Sequence, residues 1–583
     1  MTRPAILVLG PSAEAVGQQI AKALNGELIR PEPKAARPGL EALFAQGRPI
    51  VGICASAILI RILGPLLADK TSEPPVVAVA EDGSTAVPLL GGHHGANELA
   101  RQIAAITGGH AAITTASEVR FGVNLESPAP GYVLANPENH KSVIAAMLRG
   151  EKLRHKGEAE WLSKLPLSAE GSLSLLITEH AVPGSARALV YHPKTIVIGA
   201  GCERNAEPQA LIDLAETMLA NEGLSPKSVA AIASIDLKAD ETCIHALARH
   251  FDVPVRFFTA EELRRQTARL KNPSETVLAE VGVAGVSEAA ALALAGPSSE
   301  LIVEKQKGNR VTVAIALAEK PITEPTGRAQ GVLHVIGLGP GAPEWRSPAA
   351  SQALLNATEW VGYGLYLDLA EDLTHGEQQH RFPLGGEEAR VRHAIQLAAE
   401  GKQVALICSG DAGIYAMASL VYEVLALEPS TIAVNVIPGI SAFQAAAARA
   451  GALIGHDFCC ISLSDLLTPW EVIERRVKAA AEGDFVVAFY NPRSLKRTDQ
   501  IEHAIKALRQ HRPDDTPLVI ASNLGRPTEQ VNIKRLADFD ANEVDMLTLV
   551  MVGSSQSQAF PRGDGKTYAF TPRGYAKKRD QNS

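Results

Sequence analysis

The sequence predicts a multidomain α/β chain, and three observations carry that prediction. Short β-branched runs alternate with alanine-rich stretches of helical length, the pattern of βα units and largely parallel sheets. At 583 residues the chain is several times longer than one typical core of about 100 to 200 residues. Aromatic residues are only 4% while alanine and glycine are frequent, which favours helices packed on sheets through small side chains.

Residues 1–150 read as a first α/β domain, with strand candidates AILVLG, IVGIC and VVAVA and a helix in NELARQIAAIT. Residues 151–193, containing RHKGEAEW and VPGSARA, read as an irregular middle or linker region. Residues 194–320 read as a second α/β domain. It opens with strand, glycine turn and helix in KTIVIGAGCERNAEPQALIDLAETMLA and closes in a hairpin, ELIVEKQKGNRVTVAIALA, expected to turn on Lys307-Gly308-Asn309. Residues 321–330 lie in EKPITEPTGRAQG, whose prolines, glycines and polar residues suit an exposed linker. Residues 331–583 form the last block.

That block repeats one grammar four times. VLHVIGLGPGAPEW (332–345), VALICSGDAGIYAMASLVYEVL (404–425), VNVIPGISAFQAAAARAG (434–451) and FVVAFYNPRSLKR (485–497) each run from a strand into a polar or glycine-rich turn. Parallel sheets gather ligands at the carboxyl ends of their strands, where all four turns fall. The first is not a dinucleotide fingerprint. Its spacing is G-x-G-x-G rather than G-x-G-x-x-G, and Pro340 removes an N–H where a pyrophosphate would need one. Failure to bind NAD(P) in a titration would remove the oxidoreductase reading altogether.

Composition excludes some partners. A formal charge of −8 and a pI near 6.1 argue against nucleic acid or an anionic membrane, so an acidic ligand must be met by local basic clusters. The six cysteines, Cys54, Cys202, Cys243, Cys408, Cys459 and Cys460, form no C-x-x-C pair. Neither a disulfide framework nor a zinc or iron–sulfur site is signalled, and a reducing cytoplasm fits. The opening MTRPAILVLG reads as a first strand rather than a signal peptide. The most apolar stretches are interrupted before about 20 residues, so no membrane helix is expected.

Within the first block, His93 and His94 follow paired glycines at a strand-to-helix junction, with Glu98 one turn on and Asp82 and Glu118 nearby in sequence. Histidine near neutral pH serves as acid or base, and these residues are the catalytic candidates of that block. The alternative is a solvated or helix-capping pair; no further residues suggest a metal. Cys202, in GAGCERN, is either a reactive thiol at a turn or a small buried residue, and burial is the commoner state. Ser287 and Glu288 read as a helix start beside a ligand pocket.

Taken together, VIGLGPG, SGDAGIYAMA, VIPGISAFQAAAARAG and AFYNPRS, in that order across 331–560, resemble the tetrapyrrole (uroporphyrinoid) methyltransferases. The resemblance implies a two-lobed α/β enzyme binding S-adenosyl-L-methionine in the cleft. It assigns cofactor contacts to Pro340, Ser409, Gly410, Asp411, Ile414, Ser441, Ala442 and Tyr490. Asp411 is also readable as a turn carboxylate and Tyr490 as packing. GAPEWRSPAASQALLNATEWVGYGLYLDL resembles the branch that methylates precorrin-3B at carbon 17 with ring contraction, although Ala342 stands where many relatives carry an acid. A polycarboxylate tetrapyrrole substrate makes Arg346, Arg493, Lys496, Arg497 and Arg526 candidate carboxylate contacts, and the basic tail PRGYAKKRD a steering element.

ICASAILIRILGPLLADK and the run 78–118 resemble the cobalt-precorrin-5A hydrolase of cobalamin synthesis. IGAGCERNAEPQAL, AIASIDLKADE and PSETVLAEVGVAGVSEAAALALAG resemble that protein's C-terminal domain. The combined expectation is a methyltransferase fused to a lactone-opening hydrolase, two hydrolase-type α/β domains preceding the two-lobed part. The alternative makes residues 1–320 a non-catalytic module that holds a corrinoid intermediate. Analogy to the C-terminal family implies a homodimer.

Overall fold

The computed structural model describes residues 3–31, 36–67, 73–122, 124–126, 128–165, 167–494 and 497–575. They form two compact units. The first comprises Met1–Ile235, Glu241–Val255 and Ala260–Thr326; the second is Gly327–Ser583 with the short segments Asp236–Asp240 and Arg256–Thr259.

The first unit begins with a sheet of β1 (Ala5–Val8), β2 (Glu27–Ile29), β3 (Ile50–Ile53), β4 (Val76–Val79), β5 (Thr85–Leu90) and β6 (His110–Ala111), in the order β2-β1-β3-β4-β5-β6. The pairings from β2 to β4 are parallel, and β5 runs antiparallel to β4. Every residue of AILV, IVGI and VVAV is buried, as expected of strands covered on both faces. Alternate residues split between two cores. Ile6, Val8, Val51 and Val77 pack with helices Glu14–Ala23 and Ala96–Thr107, while Ala5, Leu7, Ile50 and Val76 pack with helices Ala36–Ala45 and Ser56–Leu63.

The irregular region expected over 151–193 is instead ordered structure that begins earlier in the chain. β7 (Tyr132–Leu134), β8 (Leu153–Lys156), β9 (Leu173–Ile177) and β10 (Ala188–Pro193) form a sheet ordered β7-β10-β9-β8. Its own core includes Leu134, Leu153, Leu173, Leu175, Leu189 and Tyr191. Within it, the Tyr191 hydroxyl donates to Leu125 O at 2.6 Å. β7 and β8 carry little signal because they are short and bury one residue each, Leu134 and Leu153.

A third sheet contains β11 (Ile196–Cys202) and β12 (Val229–Ile235), which are parallel; β13 (Val255–Phe258) follows β12 in the chain. β14 (Glu300–Lys307) and β15 (Val311–Leu317) form the expected hairpin, with β15 antiparallel to β11. The turn lies one residue later than predicted. Gly308, Asn309 and Arg310 make it, and Arg310 takes the left-handed conformation at φ 62°. Gly199 is needed where β11 meets helix Val286–Ala295, because a Cβ there would run into the Ser287 carbonyl.

The second unit has two lobes. One is an all-parallel sheet of β16 (Val332–Gly337), β17 (Glu359–Tyr363), β18 (Gln378–Phe382), β19 (Gln403–Cys408) and β20 (Ala433–Ile437), ordered β18-β17-β19-β16-β20. After the short β21 (Gly451–Ala452), the other lobe contains β22 (Phe458–Ser462), β23 (Val486–Tyr490), β24 (Pro517–Ser522), β25 (Gln530–Arg535) and β26 (Thr548–Val552), ordered β22-β23-β26-β24-β25. This sheet is mixed rather than parallel, since β26 inserts antiparallel between β23 and β24. β27 (Gln558–Pro561) and β28 (Thr567–Phe570) complete a small sheet with β21. Among the described residues no single helix is long and apolar enough to cross a membrane.

Candidate functional site

The glycine loop after β16 is glycine-rich because three backbones meet there. β19, β16 and β20 are neighbours, so the turns leaving them converge. Gly339 N donates to Gly410 O at 3.0 Å and Gly410 N returns a bond to Gly339 O at 2.8 Å. A Cβ on Gly337 would lie 2.6 Å from Gly410 O and 2.8 Å from Gly439 N; one on Gly439 would lie 2.6 Å from Gly337 O and closer still to Gly410 O. Gly339 and Gly410 also adopt φ of +82° and +68°, open at low cost only to glycine. The N–H groups of Gly339 and Gly410 are thus used within the loop cluster.

Asp411 braces the same junction. Its Oδ1 accepts from Gly413 N at 2.8 Å and its Oδ2 from Gly439 N at 3.1 Å, so it ties the β19 turn to the β20 turn. The expected turn role is therefore present, and Asp411 also lines the cavity in front of these turns.

That cavity has a volume of about 390 Å³, within the range of small-molecule sites. All eight predicted cofactor residues, Pro340, Ser409, Gly410, Asp411, Ile414, Ser441, Ala442 and Tyr490, line it. Ser441 precedes helix Ala442–Ala450, and its N–H donates to Gln444 Oε1 at 2.9 Å, which fixes that helix start against the cavity. Tyr490, at the end of β23, accepts from Phe443 N at 3.2 Å through its hydroxyl and packs its ring 5.2 Å from that of Tyr415. Burial raises the Tyr490 and Tyr366 phenols above their ordinary values and pushes the Cys408 thiol up to about 11, so all three remain neutral at physiological pH.

Of the predicted carboxylate contacts among the described residues, only Arg526 lines the cavity. Its Nε is buried with no hydrogen-bond partner among the described residues. Arg346 is instead held by a two-pronged pair with Asp372, Nη1 to Oδ1 at 3.0 Å, and by Ser351 Oγ at 3.1 Å from Nε. Arg493 donates to the Ala541 carbonyl. Arg497, mostly buried, donates to Asn491 O at 2.9 Å and sits 3.8 Å from Asp465. These three guanidiniums tie loops together and do not line the cavity. Lys496 and the tail from residue 576 lie outside the described residues.

The residue the sequence reading missed is Arg390. It lines the cavity, is 3% exposed, donates from Nη2 to Pro383 O at 3.0 Å, and leaves Nε without a partner among the described residues. Helix Glu387–Ala399 buries Arg390, Val391, Ala394, Leu397 and Ala398, a helical stripe. An arginine on the apolar stripe of an otherwise charged helix was the available signal. Tyr363 and Tyr366, with ring centroids 5.3 Å apart, also line the cavity unforeseen.

In the first unit, His93 and His94 do stand between β5 and helix Ala96–Thr107, in a short turn flanked by the left-handed Gly91 and Gly95. The His93 side chain lies outside what is described; His94 is exposed. Glu98 is exposed and faces Arg101 at 3.5 Å. Glu118 is buried instead, accepting from Asn97 Nδ2 at 2.6 Å, from Asn124 Nδ2 at 3.0 Å and from Arg101. Asp82 caps its own turn through Ser84 N at 2.9 Å. Glu288 is 1% exposed and accepts from the backbone N–H groups of Lys271, Asn272 and Lys305, a brace rather than a pocket residue. Cys202 is half-buried at the end of β11 rather than enclosed.

Comparison with known proteins fits this geometry. Residues 39–118 match the family model for the cobalamin synthesis G N-terminal region, and residues 196–316 that for the cobalamin synthesis G C-terminus. Residues 332–540 match the model for tetrapyrrole (corrin/porphyrin) methylases. A probable cobalt-factor III C(17)-methyltransferase of Salmonella typhimurium is 43% identical over 244 residues, 42% of this chain and 99% of that relative. A precorrin-3B C(17)-methyltransferase of a Sinorhizobium species is 39% identical over 252 residues, 42% and 98% of the two chains. A cobalt-factor III methyltransferase of Priestia megaterium is 43% identical over 253 residues, but the match spans 46% of it, so this chain covers about half the length of that relative. Through its C-terminal residues 332–540, the chain belongs to the tetrapyrrole (corrin/porphyrin) methylases.

Proposed function

We propose that the second unit methylates precorrin-3B, or its cobalt-bearing counterpart, at carbon 17 with ring contraction. We further propose that the first unit opens the lactone of a cobalt-precorrin-5A-type intermediate in the same cobalamin pathway. The observation that carries the methyltransferase reading is the cavity itself. Three locked strand ends face the buried Arg390 and the half-buried Arg526, whose Nε atoms are both buried without a hydrogen-bond partner among the described residues. A buried donor without a partner costs about 1–3 kcal/mol, a cost that an anionic ligand group removes. Tetrapyrrole carboxylates and the carboxylate of an amino-acid-bearing cofactor both supply one.

The lining fits S-adenosyl-L-methionine, with Pro340, Ser409, Gly410, Asp411, Ile414, Ser441, Ala442 and Tyr490 as the residues that would hold it. When bound, that cofactor supplies a methyl group on a sulfonium that already carries its leaving group, so alignment in a dry cleft is the main demand. The chain meets that demand with rigid parts: glycine-locked turns fix the floor, and tyrosines 363, 366 and 490 exclude water from the sides. Cys408 lines the cavity but stays a protonated thiol, which keeps it from competing for the methyl group. No strong general base is required. The working setting is a reducing cytoplasm, with a homodimer through the methyltransferase region.

Mass spectrometry of the tetrapyrrole after anaerobic incubation with S-adenosyl-L-methionine tests this, using precorrin-3B and its cobalt form in parallel. A gain of one methyl group that disappears without the cofactor supports the reading. No gain with either substrate, in protein shown to bind the cofactor, defeats it.

A second reading of the first unit rests on the exposure of His94 and the engagement of Glu98 with Arg101. On that reading residues 1–320 hold a corrinoid intermediate without reacting on it. Replacing His93 and His94 together decides: a hydrolase stalls with its lactone accumulating, whereas a carrier still binds pigment.

A further inference from the structure

The cysteines carry no metal motif in sequence, yet two of them meet in the third sheet of the first unit. Cys202 ends β11, and Glu241 and Cys243 stand at the start of helix Thr242–His250. β11 and β12 are adjacent and parallel, so the turns at their carboxyl ends are neighbours, the usual place for a ligand on such a sheet. The two sulfurs and a Glu241 carboxylate oxygen all lie within 4.8 Å of one another. Cys243 is fully buried, Glu241 is 4% exposed, and Cys202 is half-buried.

We propose that Cys202, Glu241 and Cys243 bind a thiophilic divalent cation of the zinc class, leaving its fourth position open to solvent.

Ligand separations support this. Zinc–sulfur bonds of about 2.3 Å and zinc–oxygen bonds of about 2.0 Å in a tetrahedron put the ligand atoms roughly 3.5 to 3.8 Å apart. The observed ligand atoms, all within 4.8 Å of one another, lie close to that spacing. The carboxylate is already oriented, since Asn205 N donates to its Oε2 at 3.1 Å and Arg204 approaches its Oε1 at 3.2 Å, the outer-shell support that metal-bound carboxylates use. Two soft thiolates favour zinc over calcium or magnesium, which take oxygen ligands. Binding releases the thiol protons to solvent and changes no oxidation state.

The test uses the full chain, reduced, anaerobic and stripped by a chelator, titrated with Co²⁺ as a spectroscopic probe. The expected result is a stoichiometric thiolate-to-cobalt charge-transfer band in the near ultraviolet, abolished by added Zn²⁺. The band is lost in Cys202→Ser and in Cys243→Ser, and Glu241→Gln weakens binding about tenfold or more. Cys202 is half-buried, so its variant keeps the test valid should Cys243→Ser fail to fold. Either of two outcomes overturns the proposal: no band in folded wild-type chain, or a band that survives Cys202→Ser and therefore belongs to Cys459 and Cys460. An intact mass lower by two hydrogens, mapped to a Cys202–Cys243 disulfide that persists in reductant, overturns it as well.

Discussion

Two glycine-rich junctions, one in each unit, look alike in sequence and do opposite work. The turn after β5 reads LLGGHHGAN and the turn after β16 reads IGLGPGAPE. Around β16, the glycines of three adjacent strand ends press backbone on backbone, and the cavity opens directly in front of them. After β5, only Gly91 is tightly packed, against the backbone of Pro74 and Pro75, while Gly92 and Gly95 face open space. Glycine density therefore marks where the chain bends; it takes convergence of neighbouring strands to make a site.

The largest expected effect breaks the locked junction. Gly439→Ala puts a methyl onto the carbonyls of Gly337 and Gly410, with no flexible side chain to yield. We expect a loss of about 4 kcal/mol or more and no detectable methyl transfer, read by denaturant melts and product mass. Gly92→Ala, with nothing within 4 Å of the added carbon, should change stability by less than about 0.5 kcal/mol. Equal tolerance of both substitutions would dissolve the contrast.

Next come the arginines. Arg390→Met and Arg526→Met each remove a buried donor that a ligand carboxylate is expected to fill. A charge-assisted bond of about 1.5–3 kcal/mol corresponds to a roughly 10- to 150-fold rise in KM. Titrating cofactor and tetrapyrrole separately shows which carboxylate each arginine meets. Arg346→Met should leave both KM values unchanged, because its guanidinium is already committed to Asp372. A rise in KM there would return Arg346 to the site.

These cases show how much the sequence could say. Three of the four strand-turn segments fall at one sheet edge, because parallel-strand grammar fixes where turns fall; the fourth ends β23 in the mixed sheet of the other lobe, yet all eight residues taken from the four line the cavity. The arginines failed in the other direction. Nothing local distinguishes Arg526, which faces the cavity, from Arg493 and Arg497, whose partners Ala541 and Asn491 are set by tertiary packing. Arg390 needed the helical period of its own segment to be read through a charged surface. The sheet from β7 to β10 was invisible for a related reason: each strand contributes one or two leucines, and only their assembly makes a core.

A pH effect probes the first unit by itself. Glu288 is buried, which by itself raises a carboxyl, but hydrogen bonds donated by the backbone of Lys305, Asn272 and Lys271 and by the Asn272 side chain hold it below its ordinary value of 4.5. A carboxyl lowered in the folded state stabilises above its unfolded value and loses that contribution as pH falls through the folded one. The first unit should therefore weaken below about pH 4.5, and Glu288→Gln should be less stable at neutral pH with a flatter acid limb in urea melts. An unchanged acid limb would show that Glu288 is not the group responsible.

The smallest effect concerns Glu98. Its contact with Arg101 is exposed and spans 3.5 Å, a geometry typically worth less than about 0.5 kcal/mol. Glu98→Gln should leave the melting of the first unit unmoved, so any change in lactone opening would report chemistry rather than folding. General acid–base groups contribute about 100-fold or more to rate. A drop of that size would put Glu98 in the proton path beside the histidines. Unchanged turnover, the outcome its pairing with Arg101 favours, leaves the histidine turn as the part of that loop on which the hydrolase reading depends.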